Sequence, residues 1–151
     1  MKLIVDGDGC PVIDICIRVT KSFGKDILII CDTSHNLSRY DVEAIVVSKG
    51  NDAADFIIIN KVDKGDIVVT QDYGLAAMVL SKGASAINQN GLIYSNNNID
   101  QLLFTRHISK KVRKSGGRTK GPKKRTKADN EKFEIELINL LKSKGYKIKY
   151  K

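Results

Sequence analysis

The sequence predicts an α/β domain, a three-layer, mainly parallel sheet flanked by helices, followed by a basic linker and a C-terminal helix. Three observations lead there. Short β-branched runs end in acidic or glycine-containing turns, and most are followed by a segment of helical spacing. Strands separated by helices connect through right-handed crossovers, which makes the sheet parallel and covers both faces. The pattern stops near residue 115, where the chain turns almost wholly to Lys, Arg, Gly, Thr and Pro and can form no core. The expected organisation is therefore an α/β domain over 1–115, a basic flexible linker over 116–128 and an amphipathic helix over 129–145.

Lys2 to Val5 reads as a buried strand that delivers the turn Asp6-Gly7-Asp8-Gly9. Pro11 suits a first helical turn, and Val12, Ile13, Ile15, Cys16, Val19 and Phe23 follow near helical spacing until Gly24 stops them. Ile27 to Cys31 is a second strand, leading into a polar loop from Asp32 to Asp41, and Ala44 to Val47 is a third. Asn51 can cap a helix reaching Lys61, although the β-branched run Ile57 to Ile59 opposes it. Asp66 to Thr70 is a fourth strand ending at Gln71-Asp72-Tyr73-Gly74, Leu75 to Ser81 a short helix, and Ala84 to Asn88 a fifth strand. Asn96 to Ile108 adds a helix. In the terminal helix Phe133, Leu137, Leu140 and Leu141 share one face, which predicts a satellite that docks on a body able to fold without it.

The formal charge of +9 is unevenly placed. Residues 1–105 hold nine Lys/Arg against 13 Asp/Glu, and residues 106–151 hold 17 against four, so an acidic body carries a basic tail. Phosphate contacts are expected from Arg113, Lys114, Arg118, Lys120, Lys123, Lys124 and Arg125. No aromatic interrupts the stretch from His107 to Lys127, so base stacking there is not expected. The longest apolar run is the six residues Leu75 to Leu80, far below the roughly 20 that cross a bilayer, so no membrane partner is expected. An N-terminus that turns acidic at Asp6, and three cysteines with no CxxC spacing, point to the cytoplasm and against a zinc site.

Chemistry in an open parallel sheet gathers beyond the carboxyl ends of its strands. Asp6 and Asp8 close the first strand and Asp72 closes the fourth. These meet if the two strands are neighbours, and Asp55 can approach from the preceding helix. Carboxylates in one crevice repel and raise one another's pKa unless a cation neutralises them, and oxygen-only ligands favour Mg²⁺ or Mn²⁺. Such an ion positions a phosphodiester and activates water, so the residues point to a hydrolytic phosphodiesterase. The competing explanation is that each Asp serves a turn or a helix start. Cys10 lies before a helix but has no phosphatase loop after it.

The segments DGDGCPV, GNDAADF, VTQDYGLAAMVLSKGA, NQNG and GPKKRT together resemble the bacterial YaiI/YqxD family, itself similar to PIN-like nucleases. That resemblance implies an acidic cluster holding Mg²⁺ or Mn²⁺ and acting on RNA. Asp6 stands for the first-strand aspartate, Asp55 for the mid-chain acid and Asp72 for the TxD aspartate, while Asp8 belongs to the family's own turn. Asn88-Gln89-Asn90 stands where PIN nucleases carry a last acid, and Gly7 and Gly9 stand where the family usually has alanine. Two other functions compete. A strand ending in DxD also resembles haloacid-dehalogenase phosphatases, with Thr33 or Ser34 and Lys49 as partial partners. A non-catalytic nucleic-acid-binding protein would use the basic tail alone.

Overall fold

The computed structural model describes residues 1–32, 41–48, 53–116 and 124–150. Five strands form the sheet: β1 Lys2–Asp6, β2 Asp26–Asp32, β3 Glu43–Val47, β4 Ile67–Val69 and β5 Ser85–Ile87. Five helices accompany them: α1 Ile13–Ser22, α2 Ala53–Lys61, α3 Tyr73–Ser81, α4 Asn96–Lys114 and α5 Lys127–Ser143. The strand order is β3-β2-β1-β4-β5 and every pairing is parallel. This is the three-layer α/β fold expected.

Alternation along β1 assigns the two faces, because successive strand residues point to opposite sides. Leu3 and Val5 join Ile27, Ile29, Ile67 and Val69 under α1 and α5, while Ile4 joins Leu28, Ile30 and Val68 under α2, α3 and α4. Ile58 explains why the β-branched run at 57–59 stays helical: it is fully buried against the second face, and that burial outweighs a propensity cost of a few tenths of a kcal/mol per residue.

The terminal helix is no satellite. Phe133, Leu137 and Leu141 are 0%, 0% and 1% exposed and belong to the same core as Leu3, Val5 and Phe23. Thr126 opens α5 with a capping box shared with Asp129, and Arg18 pairs with Glu134 across α1 and α5. The turn before α4 is built to receive this helix. Asn88 Oδ1 accepts the N–H groups of Asn90 and Leu92, both at 2.9 Å. Gly91 has φ of +87°, and a Cβ there would meet the Lys132 carbonyl at 3.1 Å.

Helix α4 continues past the expected end at Ile108 to Lys114. Its first half is held by Ile99, Leu102 and Leu103. Among the described residues the second half has no such anchors; it rests on a Ser95 capping box at the helix start, the lysines and arginines as its helix formers, and Lys111, Arg113 and Lys114 against the negative end of the dipole. Among the described residues, no helix is long and apolar enough to cross a membrane.

Candidate active site

Register brings the acidic turns together. β1 lies between β2 and β4, with Val5 opposite Val69, so Asp6 stands level with Thr70 one residue beyond β4. This is the topological switch point of the sheet, where α1 and α2, the helices that follow β1 and β3, cover opposite faces and a crevice opens. One cavity of about 590 Å³ is lined by Asp6, Asp8, Gln71, Asp72 and Tyr73 from the sheet edge and by Leu102, Thr105, Ser109 and Arg113 from α4. An adjoining cavity of about 300 Å³ shares Asp6, Asp8 and Asp72 and adds Asp32, Ser48 and Asp55. All four expected aspartates thus border one crevice.

Thr70 organises the centre of it. Its hydroxyl donates to Asp6 Oδ2 at 2.9 Å and accepts the Asp72 N–H at 3.0 Å, while its carbonyl accepts the Tyr94 hydroxyl at 3.2 Å. The residue is 2% exposed, so loss of that hydroxyl would leave buried groups without partners. Asp8 is held differently, its Oδ1 accepting the Asp32 N–H at 2.9 Å. Gly7 is closely packed against β2: its N–H donates to the Ile30 carbonyl at 2.7 Å, and a Cβ would approach that oxygen to 3.1 Å, so an alanine there requires a shift of a few tenths of an ångström. Asp72 has a structural duty as well, since it caps α3 and its Oδ1 accepts the Leu75 N–H at 3.0 Å.

Burial, then the charges of Asp55, Asp8 and Asp72, push the Asp6 carboxyl up from 3.8 to about 6, against the opposing hydrogen bond from Thr70. The carboxylates gathered around Asp6 supply the oxygen donors a hard cation takes. Among the described residues, no three His, Cys, Asp or Glu side chains are arranged to hold a metal ion. Oxygen donors alone suit a hard cation that keeps most of its waters and takes one or two carboxylates directly.

Asp32 is an addition that sequence reading missed. It was assigned to the start of a polar loop, yet β2 runs through it, and it closes a strand beside β1 just as Asp72 follows the strand on the other side. The same rule that selected Asp6 and Asp72 would have found it once β2 was paired with β1. Thr70 was likewise read only as part of the TxD segment. Cys10 is set aside: burial and the nearby Asp6 hold its thiol above the ordinary range, despite a hydrogen bond with the Val12 backbone.

The basic residues divide. Arg113 and Lys114 form the exposed last turn of α4, with Arg113 lining the crevice, and Lys124 is exposed. Arg125 has a different task from the phosphate contact expected of it, because its guanidinium donates to Asn130, Asn90 and the Gln89 carbonyl at 2.6 to 2.7 Å. It pins the chain before α5 to the turn after β5. Asn88, Asn90 and Gly91, in the segment where PIN nucleases carry a last acid, take part in the same docking. Arg118, Lys120 and Lys123 lie outside the described residues, as do Asp52, Thr33, Ser34 and Lys49.

Comparison with known proteins places the chain in a family. A UPF0178 protein of Exiguobacterium sibiricum is 49% identical over 144 residues, covering 95% of this chain and 99% of its own. A UPF0178 protein of Ruminiclostridium cellulolyticum is 51% identical over 142 residues, covering 94% and 93%. Among solved structures, a mutant of Rae1 (YacP) from Bacillus subtilis is similar over 76% of this chain and 83% of its own, at a TM-score of 0.43 and 19% identity, a likeness too distant to bear on function. A family model described as uncharacterised BCR, YaiI/YqxD family matches residues 4–143, and with relatives this close along almost its whole length the chain belongs to the YaiI/YqxD family.

Proposed function

We propose that this chain is a metal-dependent nuclease that acts on RNA in the cytoplasm, with Asp6, Asp8, Asp55 and Asp72 as the acidic site and Asp32 as a fifth carboxylate of the same crevice. The supporting observation is the convergence of these five side chains, from the ends of β1, β2 and β4 and the start of α2, on adjoining cavities at the carboxyl edge of the sheet. A bound Mg²⁺ or Mn²⁺ would supply charge stabilisation on the phosphodiester and a lowered pKa for the attacking water. Asp6 and Asp72, fixed relative to each other through Thr70, would hold the cation, and Asp8 and Asp55 would hold or orient its waters. Arg113, on the far wall of the larger cavity, supplies a fixed positive charge for a phosphate beside the one being cut.

The basic residues that line or adjoin the crevice favour a polyanion over a small phosphomonoester. A haloacid-dehalogenase mechanism would instead trap a phosphoryl analogue on Asp6 and show no need for a long substrate. The direct test is cleavage of labelled RNA by highly purified protein. Wild type should cut with Mn²⁺ and not with EDTA, and Asp6→Asn/Asp72→Asn should be inert. Undiminished cleavage by that double variant would refute the mechanism and point to a contaminant.

A further inference from the structure

We propose that α4 is the track along which a single RNA strand enters the acidic crevice, with phosphates on one row of side chains and bases on the row beside it, an inference that rests on the nuclease reading. Thr105, Ser109 and Arg113 recur every four residues and line the cavity that holds Asp6 and Asp72. One position before each stand Phe104, Ile108 and Val112, apolar yet 64%, 42% and 37% exposed. Successive helical residues lie about 100° apart, so the two rows run side by side, and each advances about 6 Å per step of four residues. That stride is comparable to one nucleotide of an extended strand.

The apolar row is not what fastens α4 to the body, since Ile99, Leu102 and Leu103 do that. Single-strand binders stack bases on aromatic side chains and hold phosphates with a basic groove. Here Phe104 is the aromatic that can take a stacked base, Ile108 and Val112 offer apolar contact to the bases after it, and the adjoining row holds phosphates. Charge favours the same occupant, because the last turn carries Lys111, Arg113 and Lys114. Duplex bases are paired and stacked and cannot reach the apolar row, whereas those of a single strand can be splayed onto it. The substrate class is therefore unpaired RNA. Its phosphate run passes Arg113, Ser109 and Thr105 on the wall opposite the aspartates.

Fluorescence anisotropy of the full chain in EDTA tests this without requiring cleavage, using a short labelled single-stranded RNA and a blunt duplex of the same length. The single strand should bind at least about tenfold more tightly, and Phe104→Ala should weaken it by about tenfold, the scale of one lost base stack, while leaving the duplex unchanged. Arg113→Gln should weaken both and flatten the plot of log K against log salt by about 0.7 for the single strand. Both positions are exposed, so neither substitution disturbs the core. Equal affinity for duplex and single strand, or an unaltered affinity in Phe104→Ala, would overturn the proposal. So would a wild-type dimer in sedimentation that Phe104→Ala dissociates, because a second copy would then cover the apolar row. Binding as expected without Mn²⁺-dependent cutting would support the track while refuting the nuclease reading.

Discussion

At Asp6, burial and neighbouring carboxylates work against ionisation, so the folded pKa of about 6 lies above the ordinary 3.8. A group raised in this way contributes stability that is full below about pH 4 and is lost as pH climbs through about 6. In EDTA, Asp6→Asn should therefore be more stable than wild type at pH 7.5, by an amount of order 2 kcal/mol, and its stability should vary less between pH 4 and 7. Urea denaturation at several pH values reads both effects. With Mn²⁺ present the order should reverse, because the cation binds the folded wild type and no longer the variant. Thr70→Val should cost about 1 to 3 kcal/mol, since it strips a donor from Asp6 and an acceptor from the Asp72 N–H. It should also move the acid limb of Mn²⁺ binding to higher pH, because the Thr70 hydrogen bond holds the Asp6 pKa down. Asp66 behaves oppositely at the other edge of the sheet. Burial pushes its carboxyl up, but the Lys2 ammonium and the N–H groups of Lys2 and Asp63 outweigh this and hold it below the usual range. Its contribution is present at neutral pH and is lost as pH falls below about 4. Asp66→Ala should destabilise by about 2 kcal/mol in thermal or urea unfolding, because it leaves the Lys2 and Asp63 N–H groups without their acceptor and the Lys2 ammonium with Asp63 alone.

Among the elements, α5 separates what the sequence makes legible from what it does not. Its apolar face at Phe133, Leu137 and Leu141 is plain from spacing, but spacing carries no information on which surface that face covers. The reading as a satellite failed because a basic run looks like a boundary. The docking signals instead lie elsewhere, in Arg125, in Gly91 and in the Asn88 turn. Phe133→Ala should accordingly cost about 3 to 5 kcal/mol, as for a fully buried core aromatic. Deleting the chain after Gly117 should leave a protein with lost near-UV circular dichroism; a truncated body that unfolds as cooperatively as the full chain would contradict this. The strands were legible for a simpler reason. The runs at Leu3–Val5, Ile27–Cys31 and Ile67–Val69 are buried in the sheet and the acidic turns after them are not, so these strand ends and the Asp6 and Asp72 turns follow from local chemistry. Asp32 was missed because the identity of its strand's neighbour is a long-range fact. The last turns of α4 were missed because they bury little, and hydrophobic period is silent where a helix leaves the core.

Across the whole molecule, the five aspartates and the cationic end of α4 face one another over the carboxyl edge of a sheet whose central strand supplies the first acid. The charge asymmetry along the chain becomes in the fold a negative floor and a positive wall, which suits a phosphate chain held by the wall while one link is presented to a cation on the floor. Everything in that scheme depends on the cation. Anomalous diffraction from crystals soaked in Mn²⁺ tests it most directly. The expected result is Mn²⁺ within about 2.2 Å of oxygens of Asp6 and Asp72, its remaining positions filled by waters that Asp8 or Asp55 holds, and absent from Asp6→Asn crystals. A crevice without Mn²⁺ at saturating concentration, or Mn²⁺ bound only to acids elsewhere on the surface, would contradict it.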